Sequence, residues 1–165
     1  MITASIPAAT TDEAVWKPHV TVAAIVCRDR RFLLVEEDVG GEILFNQPAG
    51  HLELGETLTA AVCRETLEET GWTVEPEALV AVHQWSHPRN GRAILRFSFA
   101  ARAVGHDPRL PLDSGILSTH WLGRDEIAAY GPRLRSPMIL ASIDAWLGGR
   151  RWPLDVLKAL PGTGG

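Results

Sequence analysis

The sequence predicts an α/β fold, a mixed sheet covered by helices, and three observations carry that expectation. Short stretches rich in β-branched and apolar residues recur along the chain, separated by breaks containing Gly, Pro and Asp. One helix-favouring stretch interrupts them in the middle of the chain and others follow near its end. Strands therefore outnumber helices, and the arrangement that buries both is a sheet with helices packed on it. Neither an internal repeat nor a low-complexity tract interrupts this pattern.

Residues 1–16 are small and polar without periodicity and read as a loosely ordered extension. His19 to Cys27 and Arg31 to Glu36 read as strands joined by a tight turn at Arg28-Asp29-Arg30, a hairpin. Gly40-Gly41 breaks the chain, Ile43-Leu44-Phe45 is a short apolar stretch, and a loop runs from Pro48 to Gly55. Thr57 is placed to cap a helix through Glu69, with Gly71 as its C-terminal stop. Leu79 to Ser86 and Ile94 to Ala103 follow as strands around a turn at His87 to Gly91. Gly105 to Ser114 is a loop, Ile116 to Leu122 a further strand, and Arg124 to Ala129 and Pro137 to Leu147 are helical. From Gly148 onward the chain reads as a partly ordered tail.

The 165 residues suit one domain, and 45% hydrophobic with 22% charged residues is enough to build a core. A net charge of −4 and a pI of about 5.8 argue against a nucleic acid polymer as partner. No apolar run reaches the length of a membrane span, and the first residues lack the basic-then-apolar pattern of a secretion signal, so a cytoplasmic location is expected. Cys27 and Cys63 are too few for a disulfide scaffold and are expected to be buried thiols.

The chemistry concentrates on the central helix. Glu65, Glu68 and Glu69 are spaced by three and four, which puts three carboxylates on one helical face. Ala60, Cys63 and Leu67 form an opposite stripe, expected to face the core. Arg64 precedes Glu68 by four, the less favourable order for a helix ion pair, so Glu56 in the preceding loop is the better partner. Like charges so crowded are tolerable in a cleft only with cations nearby, and hard divalent ions such as Mg²⁺ or Mn²⁺ suit carboxylates, backbone carbonyls and phosphates together. Gly50, at the start of the loop, lets a backbone carbonyl approach an ion or phosphate closely.

Gly50, five residues, Glu56, seven residues and then Arg64-Glu65-Thr66-Leu67-Glu68-Glu69-Thr70-Gly71-Trp72 resembles the signature box of the Nudix hydrolases. Thr66 and Trp72 stand where that family usually has aliphatic residues. The likeness extends over residues 17–154, leaving 155–165 as a tail, and is carried further toward one branch, the NudJ-type phosphatases. Its stretches are Lys17 to Ala23, Asn46 to Glu53, His83-Gln84-Trp85, Leu95-Arg96-Phe97 and Leu134 to Pro137. The resemblance implies the Nudix fold, an α/β/α sandwich on a mixed sheet, and Mg²⁺-dependent hydrolysis of a diphosphate linked to another moiety. The branch implies release of orthophosphate from nucleoside tri- and diphosphates, and from hydroxymethylpyrimidine diphosphate and thiamine diphosphate.

Carried over by position, Glu65, Glu68, Glu69 and the Gly50 carbonyl match the family's metal ligands, and Glu56 and Arg64 match the pair that fixes loop to helix. The general base is a box glutamate, Glu65 or Glu69, or an acid from a later loop, for which Asp113 is the outside candidate against its simpler role as a turn aspartate. Gln47, Gln84 and Arg96 are the expected substrate contacts, because they are polar groups on otherwise apolar strands in the matching stretches. Trp85 is a candidate for stacking on a pyrimidine or purine ring. His83 and His87 fall in strand and turn, which discounts a zinc pair. The partner expected is thus a small phosphorylated molecule, with a monomeric enzyme expected on family grounds. The alternatives are a pyrophosphohydrolase that leaves a nucleoside monophosphate plus pyrophosphate or splits ADP-ribose, and a non-catalytic Nudix-like nucleotide-binding module.

Overall fold

A computed structural model describes residues 15–160; most of the extension expected over 1–16 and the end of the tail lie outside them. Strands β1 (His19–Arg28) and β2 (Arg31–Val39) form the expected hairpin. Asp29 and Arg30 both have positive φ, 50° and 60°, which matches the turn to the twist of its strands. β3 (Glu42–Asn46) returns beside β2, and β4 (Ala49–His51) pairs with β1. After helix α1 (Leu58–Thr70) come the long strands β5 (Trp72–Ser86) and β6 (Ala93–His106), then β7 (Ile116–Gly123), α2 (Arg124–Ala129) and α3 (Met138–Leu147). The sheet order is β3-β2-β1-β6-β5 with β7 on β2, and the β1–β6 pair is parallel while the other pairs are antiparallel, so the sheet is mixed.

Successive residues of β1 point to opposite faces, and both faces are covered. Val22, Ala24 and Val26 pack with Phe99 under Ala61 and Val62 of α1, whereas Ile25 packs with Phe32 and Leu34 under Ile127, Ile139 and Ile143 of α2 and α3. This is the α/β/α sandwich. β1 pairs with β2 only beside the hairpin turn; farther along, β4 pairs with β1, and Ala24 N–H donates to the Pro48 carbonyl at 2.9 Å. The β3–β4 segment is thereby held next to the start of α1.

Several expectations need correction. β5 begins at Trp72, not Leu79: Pro76 lies at a bulge on an edge strand, where its missing N–H breaks no central ladder. Of the stripe expected to face the core only Cys63 packs on it: Ala60 and Leu67 are exposed, and the buried side of α1 carries Ala61, Val62, Glu65, Thr66, Glu69 and Thr70. Two threonines make that side buriable by returning their hydroxyls to the helix, Thr66 to the Val62 carbonyl and Thr70 to the Thr66 carbonyl. Cys27 and Cys63 are free and only half-buried, and burial pushes both thiols up. Beyond Gly148, Trp152 exchanges two backbone hydrogen bonds with Leu79, and Leu154 and Leu157 pack on the α1 side of the core. Among the described residues no helix is long and apolar enough to cross a membrane.

Candidate active site

The site is built from both ends of α1. Thr57 accepts a hydrogen bond from Ala60 N–H at 3.1 Å and starts the helix; Gly71, at φ 70°, stops it by donating to the Leu67 carbonyl at 2.8 Å. Between them Arg64 ties the loop to the helix. Its Nε and Nη2 grip the Glu56 carboxylate at 3.1 and 2.7 Å, Nη2 also reaches the His51 carbonyl at 3.0 Å, and Nη1 donates to Glu65 at 2.9 Å and Glu68 at 3.0 Å. The fork therefore serves Glu56, as its spacing predicts, and pairs with Glu68 as well. Arg64 holds the Glu56 carboxyl below the usual range, and Glu56 in turn accepts from Glu53 N–H at 2.8 Å.

Gly50 faces the helix so closely that an added Cβ would lie 2.1 Å from the Glu65 carboxylate. Any side chain at position 50 would displace the Glu65 carboxylate, and the loop backbone and Glu65 together line a cavity of about 410 Å³. Carboxylate oxygens of Glu65, Glu68 and Asp113 lie within 4.8 Å of one another. Asp113 arrives there because its N–H donates to the Glu68 carbonyl at 3.0 Å. Glu69 accepts from Ala49 N–H at 2.8 Å on one oxygen, while the other makes no hydrogen bond among the described residues. Burial is the first cause that raises both Glu65 and Glu69, and it pushes Glu69 up to about 8. Four acids on one wall, two of them resisting ionisation, and a loop backbone in contact with them form an oxygen-rich donor set that fits a hard divalent cation.

The same cavity also carries positive charge: Arg92, Arg96 and Arg135 line it, together with Thr21 and Asn46. Arg135 pairs with the buried Glu37. Arg96, expected as a substrate contact, is in the cavity. Gln47 and Gln84 are not: Gln47 is fully buried and accepts from Ser142 Oγ at 3.0 Å, and Gln84 lies exposed on β5 away from the cavity. Arg92 was missed by sequence reasoning because no local pattern marks it; Thr21 and Arg135 lay in the Lys17 to Ala23 and Leu134 to Pro137 stretches, where a polar residue between Val20 and Val22 and a charge between Leu134 and Ser136 were the available signals.

This pairing of a glutamate helix with a backbone loop on an α/β/α sandwich defines a class, and residues 17–142 match the family model described as the NUDIX domain. The chain belongs to the Nudix family and is a Nudix hydrolase. It is 43% identical over 142 residues to Phosphatase NudJ of Escherichia coli strain K12, covering 86% of this chain and 92% of that protein, so the likeness to the NudJ-type branch holds. A NUDIX hydrolase from Nitrosomonas europaea superposes with a TM-score of 0.86 at 44% identity, covering 89% of this chain and 100% of that one. An ADP-ribose pyrophosphatase from Streptococcus suis 89-1591, at 21% identity and a TM-score of 0.62 over 82% of this chain and 96% of that one, shares the fold alone. Nudix hydrolases generally use a divalent metal and act on small phosphorylated substrates.

Proposed function

We propose that the chain is a Mg²⁺-dependent phosphohydrolase, with Mn²⁺ able to substitute, that releases orthophosphate from nucleoside tri- and diphosphates and from ring diphosphates such as hydroxymethylpyrimidine diphosphate and thiamine diphosphate. The supporting observation is that the clustered Glu65, Glu68 and Asp113 carboxylates share one cavity with Arg92, Arg96 and Arg135. The Gly50 carbonyl, Glu65, Glu68 and Glu69 would hold the ion, and Glu56 and Arg64 keep that loop and helix in register. Bound there, the ion would neutralise the diphosphate, orient it and make a water more acidic. A water oxygen then bonds to phosphorus, the bridging P–O bond breaks with its electron pair on the departing oxygen, and one water proton passes to a carboxylate. Glu69 and Glu65 are the candidate acceptors, each with one oxygen engaged, Glu69 by Ala49 N–H and Glu65 by Arg64; Asp113 is the outside alternative. Of the three expected substrate contacts, Arg96 is retained.

Incubating the purified chain with a panel of nucleotides and thiamin-pathway diphosphates, with Mg²⁺ and with chelator, should give metal-dependent orthophosphate. Pyrophosphate as the product would establish the pyrophosphohydrolase instead, and tight nucleotide binding without any product over hours would establish a binding module. Sedimentation of the same preparation tests the expected monomer, and fractionation of the source cells tests the expected cytoplasmic location.

A further inference from the structure

Two cations in the cavity, Arg92 and Arg96, have no acid of their own among the described residues. Arg64 is saturated by Glu56, Glu65 and Glu68, and Arg135 is paired with Glu37. Arg92 rests instead on ring nitrogens of His51 at 3.0 Å and His19 at 3.3 Å. Arg96 is 5% exposed, makes no ion pair among the described residues, has one long contact to Asn46 Oδ1 at 3.5 Å, and its buried Nε has no hydrogen-bond partner. Thr21 Oγ1 in the main cavity and Ser136 Oγ just beyond it are likewise buried without partners. Burial draws Arg96 down to about 10, which leaves it charged at neutral pH. An unpaired buried cation is costly to a fold and calls for an anion.

Position says which anion. Arg92, Ile94, Arg96 and Arg135 line both the main cavity and a side chamber of about 170 Å³, whose walls include Trp85, Leu44, Val39 and Met138. A cavity of roughly 150 Å³ admits benzene, so the chamber accepts one six-membered ring. The arginines stand between that chamber and the carboxylate wall.

We propose that Arg92 and Arg96 form a second phosphate site at this junction, which holds the phosphate joined to the ring-bearing part of the substrate while the terminal phosphate lies among the carboxylates. The placement of the terminal phosphate rests on the phosphohydrolase reading; the arginine site belongs to the metal-free chain. Attack at the terminal phosphorus breaks the bridging P–O bond and leaves the bridging oxygen on the phosphate that the arginines hold. With a diphosphate substrate the ring-bearing monophosphate thus remains bound after orthophosphate departs.

Isothermal titration of the full chain with uridine monophosphate in chelator tests this directly. Wild type should bind it without metal, and Arg96→Met and Arg92→Ala should each weaken binding about tenfold or more, as expected for losing a charged hydrogen bond. Uridine, which lacks the phosphate, should be indifferent to both substitutions. Arg92 is exposed, so Arg92→Ala keeps the test open if Arg96→Met does not fold. No metal-free binding by wild type, unchanged affinity in a folded variant, or equal weakening of uridine would overturn the proposal. Turnover without this binding overturns the arginine site alone, and binding without turnover overturns the hydrolase reading alone.

Discussion

Glu69 concentrates the conflict on which the site depends: it is buried beside Glu65 and Glu37, yet it is the carboxylate the chemistry needs ionised. Glu69→Gln should lower phosphate release by at least about a hundredfold, the scale of a lost base or charge stabiliser, and leave the far-ultraviolet circular dichroism unchanged. Loss of the fold in that variant would assign Glu69 a structural role instead. Its titration also fixes a sign. Unfolded, Glu69 ionises near its ordinary 4.5; folded and metal-free, near 8. Between those values the unfolded state gives up a proton that the folded state keeps, so metal-free stability falls as pH rises through the window and levels off above it. The slope is at most about 1.4 kcal/mol per pH unit. Urea unfolding in chelator from acid to neutral pH should show this decline, and saturating Mg²⁺ should flatten it; a metal-free stability that rises over the same range would contradict it. At this scale the sequence was informative where spacing alone encodes contact, as for Glu56 with Arg64, and silent where contact is made across the fold, as for Arg92.

At the scale of elements, the helix ends were legible because capping is local chemistry: Thr57 and Gly71 lie where their side chain, or its absence, predicts. The buried face of α1 was not legible, because an apolar stripe of Ala60, Cys63 and Leu67 competes with a stripe on which threonines conceal their own hydroxyls. What decides is the sheet that Ala61 and Val62 meet, which no helical period contains. Gln47 and Gln84 failed for a related reason, since a polar residue on an apolar strand can satisfy itself inside the core or turn outward. The clamp between loop and helix yields a prediction. Arg64→Lys keeps the charge but loses the planar fork that grips Glu56, Glu65, Glu68 and the His51 carbonyl at once. It should cost about 2 kcal/mol of stability in denaturant melts and release the 50–57 loop. Activity should fall at least about tenfold, as expected when positioning is loosened. Wild-type activity in Arg64→Lys would show that the clamp does not position the site.

For the whole molecule, a mixed sheet covered by helices was legible in the alternation of strands and helices, and helices on both of its faces followed from the family resemblance; the single parallel pair, β1 with β6, and the strand order were not legible. That order holds β4 beside β1 and brings Asn46 of β3, Gly50 of β4, Arg96 of β6 and the α1 glutamates to one cavity. The identity to Phosphatase NudJ over 86% of the chain is consistent with a shared architecture around this cavity. The central claim is that water attacks the phosphorus lying on the carboxylate side. Hydrolysis of a nucleoside diphosphate in ¹⁸O-labelled water, followed by phosphorus NMR, measures this most directly. The account predicts label in orthophosphate alone, and only when Mg²⁺ or Mn²⁺ is present. Label in the nucleoside monophosphate, or equal incorporation in chelator, would contradict it.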